Sequence, residues 1–207
     1  EHYPPGIPAE VNIDEFESLN EVLQRSCQRF GRLPAYSNMG VSLSYAELYE
    51  ASGGFAAYLQ SLPTLQRGDR VAIMMPNLLQ YPVALFGALR AGMVVVNVNP
   101  QYTAPELEHQ LVDSGAAAIV VLENFAHTVQ EVLQRNPALS LTVFTTEVGD
   151  MFPVVKEVVT NVVVKYFRKM VPTWEIPGAI EFNVALRVGR TMALNEPAVC
   201  HADTAFL

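Results

Sequence analysis

Hydrophobic and polar residues along this chain follow two spacings, and the change from one to the other separates strands from helices. The clearest example is residues 68–102, where an apolar run at 71–75 follows a Gly-Asp turn and predicts a buried strand. Apolar residues then recur at helical spacing from Gln80 to Gly92, and valines at 94–98 predict a second strand. A strand–helix–strand unit this short implies parallel strands joined by a right-handed crossover.

Capping boxes, in which Ser or Thr precedes Glu by three residues, indicate three more helix starts. The boxes are Ser18 with Glu21, Ser44 with Glu47, and Thr103 with Glu106. Further elements are predicted as a hairpin at 35–43, a strand at 116–122, a helix at 125–135, a strand at 139–145, a short helix at 182–188 and a strand beginning at 202–207. Because strands and helices alternate, we expect an α/β fold with a mostly parallel sheet flanked by helices on both faces.

Residues 151–171 form a different pattern, with a valine-rich face and a basic face on one predicted helix. Every lysine of the chain lies here, at Lys156, Lys165 and Lys169. Because β-branched residues form helices weakly, this helix needs stabilisation from whatever its apolar face touches. Lys165, Arg168 and Lys169 are candidates for contact with lipid or a membrane surface; the alternative is an ordinary solvated helix face.

Composition narrows the functional classes. The net charge of −8 argues against nucleic acid as a partner. No apolar run reaches the roughly 18 to 20 residues that span a bilayer, and residues 1–15 lack the features of a signal peptide. The two cysteines, Cys27 and Cys200, fit a reducing cytoplasm and are interpreted as small buried apolar residues, without Cys or His partners at metal-ligand spacing.

Side chains at the ends of the predicted strands are candidates for ligand contact. Asn97, Asn99 and Tyr102 follow a parallel strand at its carboxyl end, where open α/β sheets bind ligands. The alternative is that they satisfy backbone groups at the exit of the strand. Asp69 and Arg70 are interpreted as turn residues with a solvated ion pair, and His109 as a surface histidine.

Four stretches resemble one family. They are YPPGIPAE from Tyr3, GDRVAIMMPN from Gly68, FGALRAG from Phe86 and VVNVNPQYTAPELEHQL from Val95. These residues resemble the N-terminal domain of the AMP-forming acyl-CoA synthetase (adenylate-forming) superfamily, and within it the bacterial long-chain fatty acyl-CoA ligases. The resemblance covers nearly the whole chain and implies an incomplete N-terminal domain of the acyl-CoA synthetase fold.

The resemblance also implies a reaction. In the family, a fatty acid, ATP and coenzyme A give acyl-CoA, AMP and pyrophosphate through acyl-AMP, with Mg²⁺, as a step of fatty acid metabolism that includes beta-oxidation. Residues 202–207 resemble the strand that leads into the family's Gly/Ser/Thr-rich phosphate loop. The loop and the later catalytic motifs have no counterpart in this sequence, so no catalytic, cofactor-binding or metal-ligating residue is assigned. We therefore expect these residues alone to be inactive.

This interpretation divides the chain into four parts. They are an extended arm at 1–13, an α/β core at 14–150, a basic amphipathic helix and linker at 151–178, and a lead-in to the phosphate loop at 179–207. We expect the protein to be cytoplasmic. A further expectation is that it contacts the inner face of the cell membrane. The alternatives are a ligase for another carboxylic acid, or a non-catalytic assembly or binding module. An unpaired sheet edge would favour a homo-oligomer.

Overall fold

The computed structural model describes residues 4, 6, 10, 12, 14–164 and 171–207. The helices of the described residues are α1 (Leu19–Phe30), α2 (Tyr45–Ser61), α3 (Gln80–Arg90), α4 (Ala104–Ser114), α5 (Ala126–Arg135), α6 (Val154–Val162) and α7 (Phe182–Gly189). The strands are β1 (Pro34–Asn38), β2 (Val41–Ser44), β3 (Arg70–Met74), β4 (Val94–Asn97), β5 (Ala116–Leu122), β6 (Thr142–Thr146) and β7 (Ile180–Glu181). A 3-10 turn, Glu123–Phe125, precedes α5. The predicted arm at 1–13 lies mostly outside the described residues.

The five strands β3 to β7 form one parallel sheet in the order β4-β3-β5-β6-β7. The strands β1 and β2 form a separate antiparallel hairpin. The α/β fold with a parallel sheet flanked by helices is therefore confirmed. β3 lies between β4 and β5, so the chain runs to one side of β3 through α3 and then back to the other side through α4. Open sheets bind ligands at such a reversal.

Helix ends follow the local signals in the sequence. The Ser44 and Thr103 capping boxes are both formed, and the Ser18 hydroxyl accepts a hydrogen bond from the backbone N–H of Glu21. Gly115 ends α4 in the left-handed conformation with φ of 61°, as a glycine after a helix commonly does. One strand start differs from the prediction, because Leu139 donates its N–H to the Asn136 carbonyl in a turn and β6 begins only at Thr142.

Both faces of the sheet are covered. Alternate residues of β3 point to opposite sides, with Val71 and Ile73 in a core under α1, α2, α3 and α7, and Ala72 and Met74 in a core under α4 and α5. The centre of the first core is Phe55 of α2, which is completely buried. Its ring meets those of Phe144 at 5.3 Å and Phe182 at 4.8 Å, both in edge-to-face geometry.

Glycines allow α2 to approach its neighbours closely. A Cβ at Gly189 of α7 would lie 1.9 Å from the carbonyl oxygen of Gly54, and a Cβ at Gly87 of α3 would lie 2.6 Å from the ring of Phe55. No side chain fits at such distances without displacing a helix. The two helix crossings therefore depend on the absence of side chains at these positions.

The helix α6 is oriented with its polar side inward. Its Asn161 side chain accepts a hydrogen bond from the Gly149 N–H at 2.7 Å, and Lys156 donates to the Met39 carbonyl. The valines of the opposite side are between 39% and 80% exposed, and they are Val154, Val155, Val158, Val159, Val162 and Val163. The sequence predicted that contacts of the apolar face would stabilise this helix. In the described residues polar contacts anchor the helix, and its apolar face is exposed.

Two smaller expectations are also corrected. Cys27 is half-buried and Cys200 is exposed, although both were predicted to be buried. Cys200 lies in an irregular segment, where its backbone N–H donates to the Asp203 carboxylate. Arg70 does not form an ion pair with Asp69. Its guanidinium donates to the backbone carbonyls of Gly68, Ser114 and Gly115, while the Asp69 carboxylate accepts from the N–H of Gln66. None of the described helices is long and apolar enough to cross a bilayer.

Asp150 provides a test of the turn that precedes α6. Burial raises the pKa of this carboxyl from 3.8 to about 6, although the N–H of Glu147 and the Thr146 hydroxyl donate to it, and the nearby charges of Glu147 and Glu157 raise it further. Because the folded protein binds this proton more tightly than the unfolded chain does, the group lowers stability as pH rises from about 4 through about 6.

We therefore expect Asp150→Asn to increase the free energy of unfolding by about 1 to 3 kcal/mol at pH 7. The increase should be smaller at pH 5, where the wild-type carboxyl is largely protonated. Urea unfolding at both pH values measures this difference. Glu106→Gln is the matched control, because the Thr103 hydroxyl and N–H lower the pKa of Glu106 and its stabilisation is therefore fully present at both pH 5 and pH 7. This variant should change the free energy of unfolding by the same amount at both pH values. An effect of Asp150→Asn that is the same at both pH values would contradict the assignment.

Candidate functional site

The candidate site is the edge of the sheet where the parallel strands end. At the reversal of strand order, the loop after β3 leads to α3 on one face, and the loop after β5 leads to α5 on the other. Diverging loops leave a crevice outside the carboxyl ends of the strands, and this crevice is where open α/β sheets bind ligands.

Asn97, at the end of β4, joins two helices across this edge. Its side-chain oxygen accepts a hydrogen bond from the Tyr81 hydroxyl of α3 at 2.9 Å. Its backbone carbonyl accepts another from the Gln110 side chain of α4 at 3.0 Å. The Asn97 side chain is exposed, so it combines a structural contact with access to solvent at the strand end.

Asn99 and Tyr102 shape the turn between β4 and α4. The Asn99 side chain accepts from the N–H of Gln101 at 3.0 Å, and its carbonyl accepts from the N–H of Tyr102 at 3.1 Å. The Tyr102 ring is half-buried against the second core. For these two residues the structure supports the alternative interpretation, in which they organise the backbone at the strand exit.

Gln80 is a component of this edge that sequence reasoning missed. It is completely buried in the first turn of α3, and its side-chain nitrogen donates to the Glu147 carbonyl at 2.6 Å. Its side-chain oxygen is buried without a hydrogen-bond partner among the described residues. The contact ties the start of α3 to the loop after β6. An amide within an apolar helical pattern was the only signal in the sequence, and it gives no partner.

The end of β6 adds further buried polar groups. Thr146 is 1% exposed, and its hydroxyl donates to the Asp150 carboxylate at 2.8 Å. The same carboxylate oxygen accepts from the N–H of Glu147 at 2.8 Å. With Gln80 and Asn97, these groups form a polar edge that holds the loops in fixed positions.

The described part of this edge does not fit ATP or Mg²⁺ by itself. No group of three or more His, Cys, Asp or Glu residues that could hold a metal occurs among the described residues. The sequence also has no glycine-rich loop to surround phosphate groups with backbone N–H donors. The hydrogen bonds of the polar edge therefore position neighbouring chain segments.

The other candidates lie apart from this edge. His109 is exposed on α4, as expected for a surface histidine. Lys165, Arg168 and Lys169, the candidates for lipid contact, lie outside the described residues. A cavity of about 720 Å³ lies near the amino ends of the strands, with Gly68 and Val94 among its lining residues. It is therefore separate from the edge at which sheets of this kind bind ligands.

This chain is similar to known proteins in sequence and in structure. Residues 23–198 match the model of the AMP-binding enzyme family. The chain is 51% identical over 205 residues to a long-chain-fatty-acid–CoA ligase of Salmonella typhimurium, and 45% identical over 207 residues to one of Haemophilus influenzae. These alignments cover 99% and 100% of this chain. It spans 36% of the length of each relative.

Solved structures share the fold. A crystal structure of an anthranilate CoA ligase with anthranoyl-AMP superposes with a TM-score of 0.70 at 15% identity, covering 91% of this chain and 31% of that one. A Mycobacterium tuberculosis fatty acyl CoA synthetase gives 0.63 at 24% identity, covering 90% and 31%. Since the family model matches residues 23–198, most of the chain, this chain belongs to the AMP-binding enzyme family.

Proposed function

We propose that this chain is the N-terminal part of the large adenylating domain of a long-chain fatty acyl-CoA ligase. The observation that supports this most strongly is the identity of 51% over 205 residues to a protein named as such a ligase. The match spans 36% of that relative, so the complete activity belongs to a longer protein. The division into parts at 1–13, 14–150, 151–178 and 179–207 remains part of the proposal.

The proposed reaction has two steps. A fatty carboxylate oxygen attacks the α-phosphorus of ATP, forming acyl-AMP and releasing pyrophosphate. The thiol of coenzyme A, after losing its proton, then attacks the acyl carbon and releases AMP. Mg²⁺ would neutralise charge on the phosphates, and the acyl-CoA would enter fatty acid metabolism, including beta-oxidation. The residues of this chain would hold the sheet edge and the segment leading to the phosphate site.

The test is ATP–pyrophosphate exchange by the intact protein that contains this chain. We expect exchange that depends on a long-chain fatty acid such as palmitate, with CoA-dependent release of AMP, and neither reaction from residues 1–207 alone. The 207-residue chain lacks the phosphate loop, so acyl-AMP formation by it would contradict the proposal. Benzoate and octanoate are the substrate controls, and faster exchange with either would favour a ligase for another acid.

We also propose that this protein is cytoplasmic and peripheral to the inner face of the cell membrane, with α6 as the contact. The exposed valines of α6 would enter the lipid interface, and the basic residues that follow in the sequence would meet anionic headgroups. Lys156 is not assigned to lipid, because its ammonium donates to the Met39 carbonyl and lies 5.2 Å from the Phe152 ring centre.

Vesicle binding by the intact protein tests the membrane contact. Replacement of Lys165, Arg168 and Lys169 by Glu should weaken binding to anionic vesicles at least about 100-fold, because each basic residue near such a surface contributes about 1 kcal/mol. The matched control replaces exposed arginines elsewhere by Glu, namely Arg29, Arg32 and Arg187. Equal vesicle binding by the wild type and the first triple variant would remove the proposal.

The third proposal is self-association through a sheet edge. β7 has only two residues, and the outer side of β4 pairs with residues 205–207 only around Val95. Backbone groups along such edges favour pairing with a second copy. We expect multi-angle light scattering of the 207-residue chain to give a dimer mass, and a monomer mass at high protein concentration would contradict this.

A further inference from the structure

The C-terminal segment, defined as residues 190–207, crosses from α7 back to β4 without a helix of its own. The backbone of its last residues pairs with Val95, whose N–H donates to the Ala205 carbonyl at 2.9 Å and whose carbonyl accepts from the Leu207 N–H at 3.0 Å. Because only this short pairing joins the segment to the sheet, its placement depends on side chains along its path.

Arg90, the last residue of α3, is the most buried of those side chains. It is 4% exposed, and one guanidinium nitrogen donates to the Tyr49 carbonyl at 2.5 Å and to the Ser52 hydroxyl at 2.9 Å. The guanidinium also lies 4.0 Å from the centre of the Tyr49 ring. A Cβ at Gly53 would lie 3.0 Å from it, so α2 leaves room for this group. Contacts with α2 therefore hold the guanidinium in one orientation.

The other side of the guanidinium meets the C-terminal segment. Both Nε and Nη2 donate to one carboxylate oxygen of Glu196, at 2.9 Å and 2.5 Å. The Arg90 side chain is 5% exposed and that of Glu196 is 36% exposed. A buried guanidinium needs a counter-charge, and Glu196 is the carboxylate that supplies it among the described residues. The pair thus attaches the segment to a rigid point between α2 and α3.

Neighbouring contacts extend this attachment along the segment. The Gln60 side chain donates to the Asn195 carbonyl and accepts from its N–H, at 2.8 Å and 3.1 Å. Pro197 packs on Gly92, where a Cβ would lie 2.6 Å from the proline ring. Arg67 donates to the Ala198 carbonyl at 2.8 Å. These contacts follow one another from 195 to 198, and the segment reaches Val95 soon after.

We propose that Arg90 is a positioning residue, which through Glu196 sets where residues 205–207 lie on β4. This inference rests on the proposed function, in which the phosphate-binding loop follows Leu207. Arg90 itself lies in the helical layer and would touch no substrate. Through the segment, it would determine where that loop begins relative to the carboxyl edge of the sheet.

Hydrogen exchange on the 207-residue chain is the first test, with Glu196→Ala as the variant. Glu196 belongs to the C-terminal segment, and the hydrogen bonds of Arg90 to Tyr49 and Ser52 do not involve it. We expect the amides of Val95 and Leu207 to exchange about tenfold faster, the size of effect expected for the loss of a charged hydrogen bond, while amides between β3 and β5 are unchanged. Unchanged protection of Val95 and Leu207 would overturn the proposal.

The control for this test is Glu50→Ala. Glu50 pairs with Arg190 at 3.4 Å at the start of the same segment, but both side chains are about half exposed or more. Exposed ion pairs contribute little to stability, so the amides of this variant should exchange as fast as those of the wild type. If Glu50→Ala accelerates exchange at Leu207 as much as Glu196→Ala does, the role of Arg90 is not specific and the proposal fails.

The second test uses the intact protein and separates positioning from simple stability. In ATP–pyrophosphate exchange, Glu196→Ala should lower kcat about tenfold with the KM for fatty acid unchanged, and Glu196→Asp should restore most of it. Faster amide exchange with an unchanged kcat would overturn the positioning role. If the wild type shows no ATP–pyrophosphate exchange, the proposed function is contradicted instead. The hydrogen-exchange result would then test only whether Arg90 and Glu196 attach the C-terminal segment to the helices.

Discussion

The packing of Phe55 determines how one helical layer lies on the sheet. Its buried ring contacts β6 through Phe144 and α7 through Phe182, and Gly87 of α3 leaves space for it. A parallel sheet must be covered on both faces, so α2, α3 and α7 have to lie close together on this side. The position of α7 decides where the segment after it begins, and Arg90 at the end of α3 then meets that segment. The sheet edge and the C-terminal segment therefore both depend on this one cluster.

Local features of the fold could be predicted from the sequence, and features that depend on distant contacts could not. Capping boxes set the starts of α2 and α4, and Gly115 sets the end of α4, because those signals act within a few residues. The strand order is decided by which residues pair across the sheet, and no local pattern specifies that. The periodicity of α6 correctly separated an apolar side from a polar side. It could not show that the polar side packs inward, since that depends on hydrogen bonds with Gly149 and Met39.

The candidate site shows the same division. Asn97, Asn99 and Tyr102 were identifiable because a strand end in an α/β sheet is a place defined by sequence order. Gln80 and Arg90 were not identified as functional, because each is a single polar residue within an apolar helix and its partners lie between 38 and 106 residues away in the chain. The polar edge and the attachment at Arg90 are both scaffolding, which agrees with a chain that spans 36% of the ligases it matches.

We propose that this chain is the front part of an adenylating enzyme, with residues 205–207 lying beside β4 and leading to a phosphate-binding loop. The most direct measurement is the intact mass of the gene product, together with its coding sequence read past Leu207. The account predicts a longer protein in which a Gly/Thr-rich loop containing lysine follows Leu207 at once. A reading frame that ends at Leu207 would contradict it, and a non-catalytic module built on the same fold would then explain the chain better.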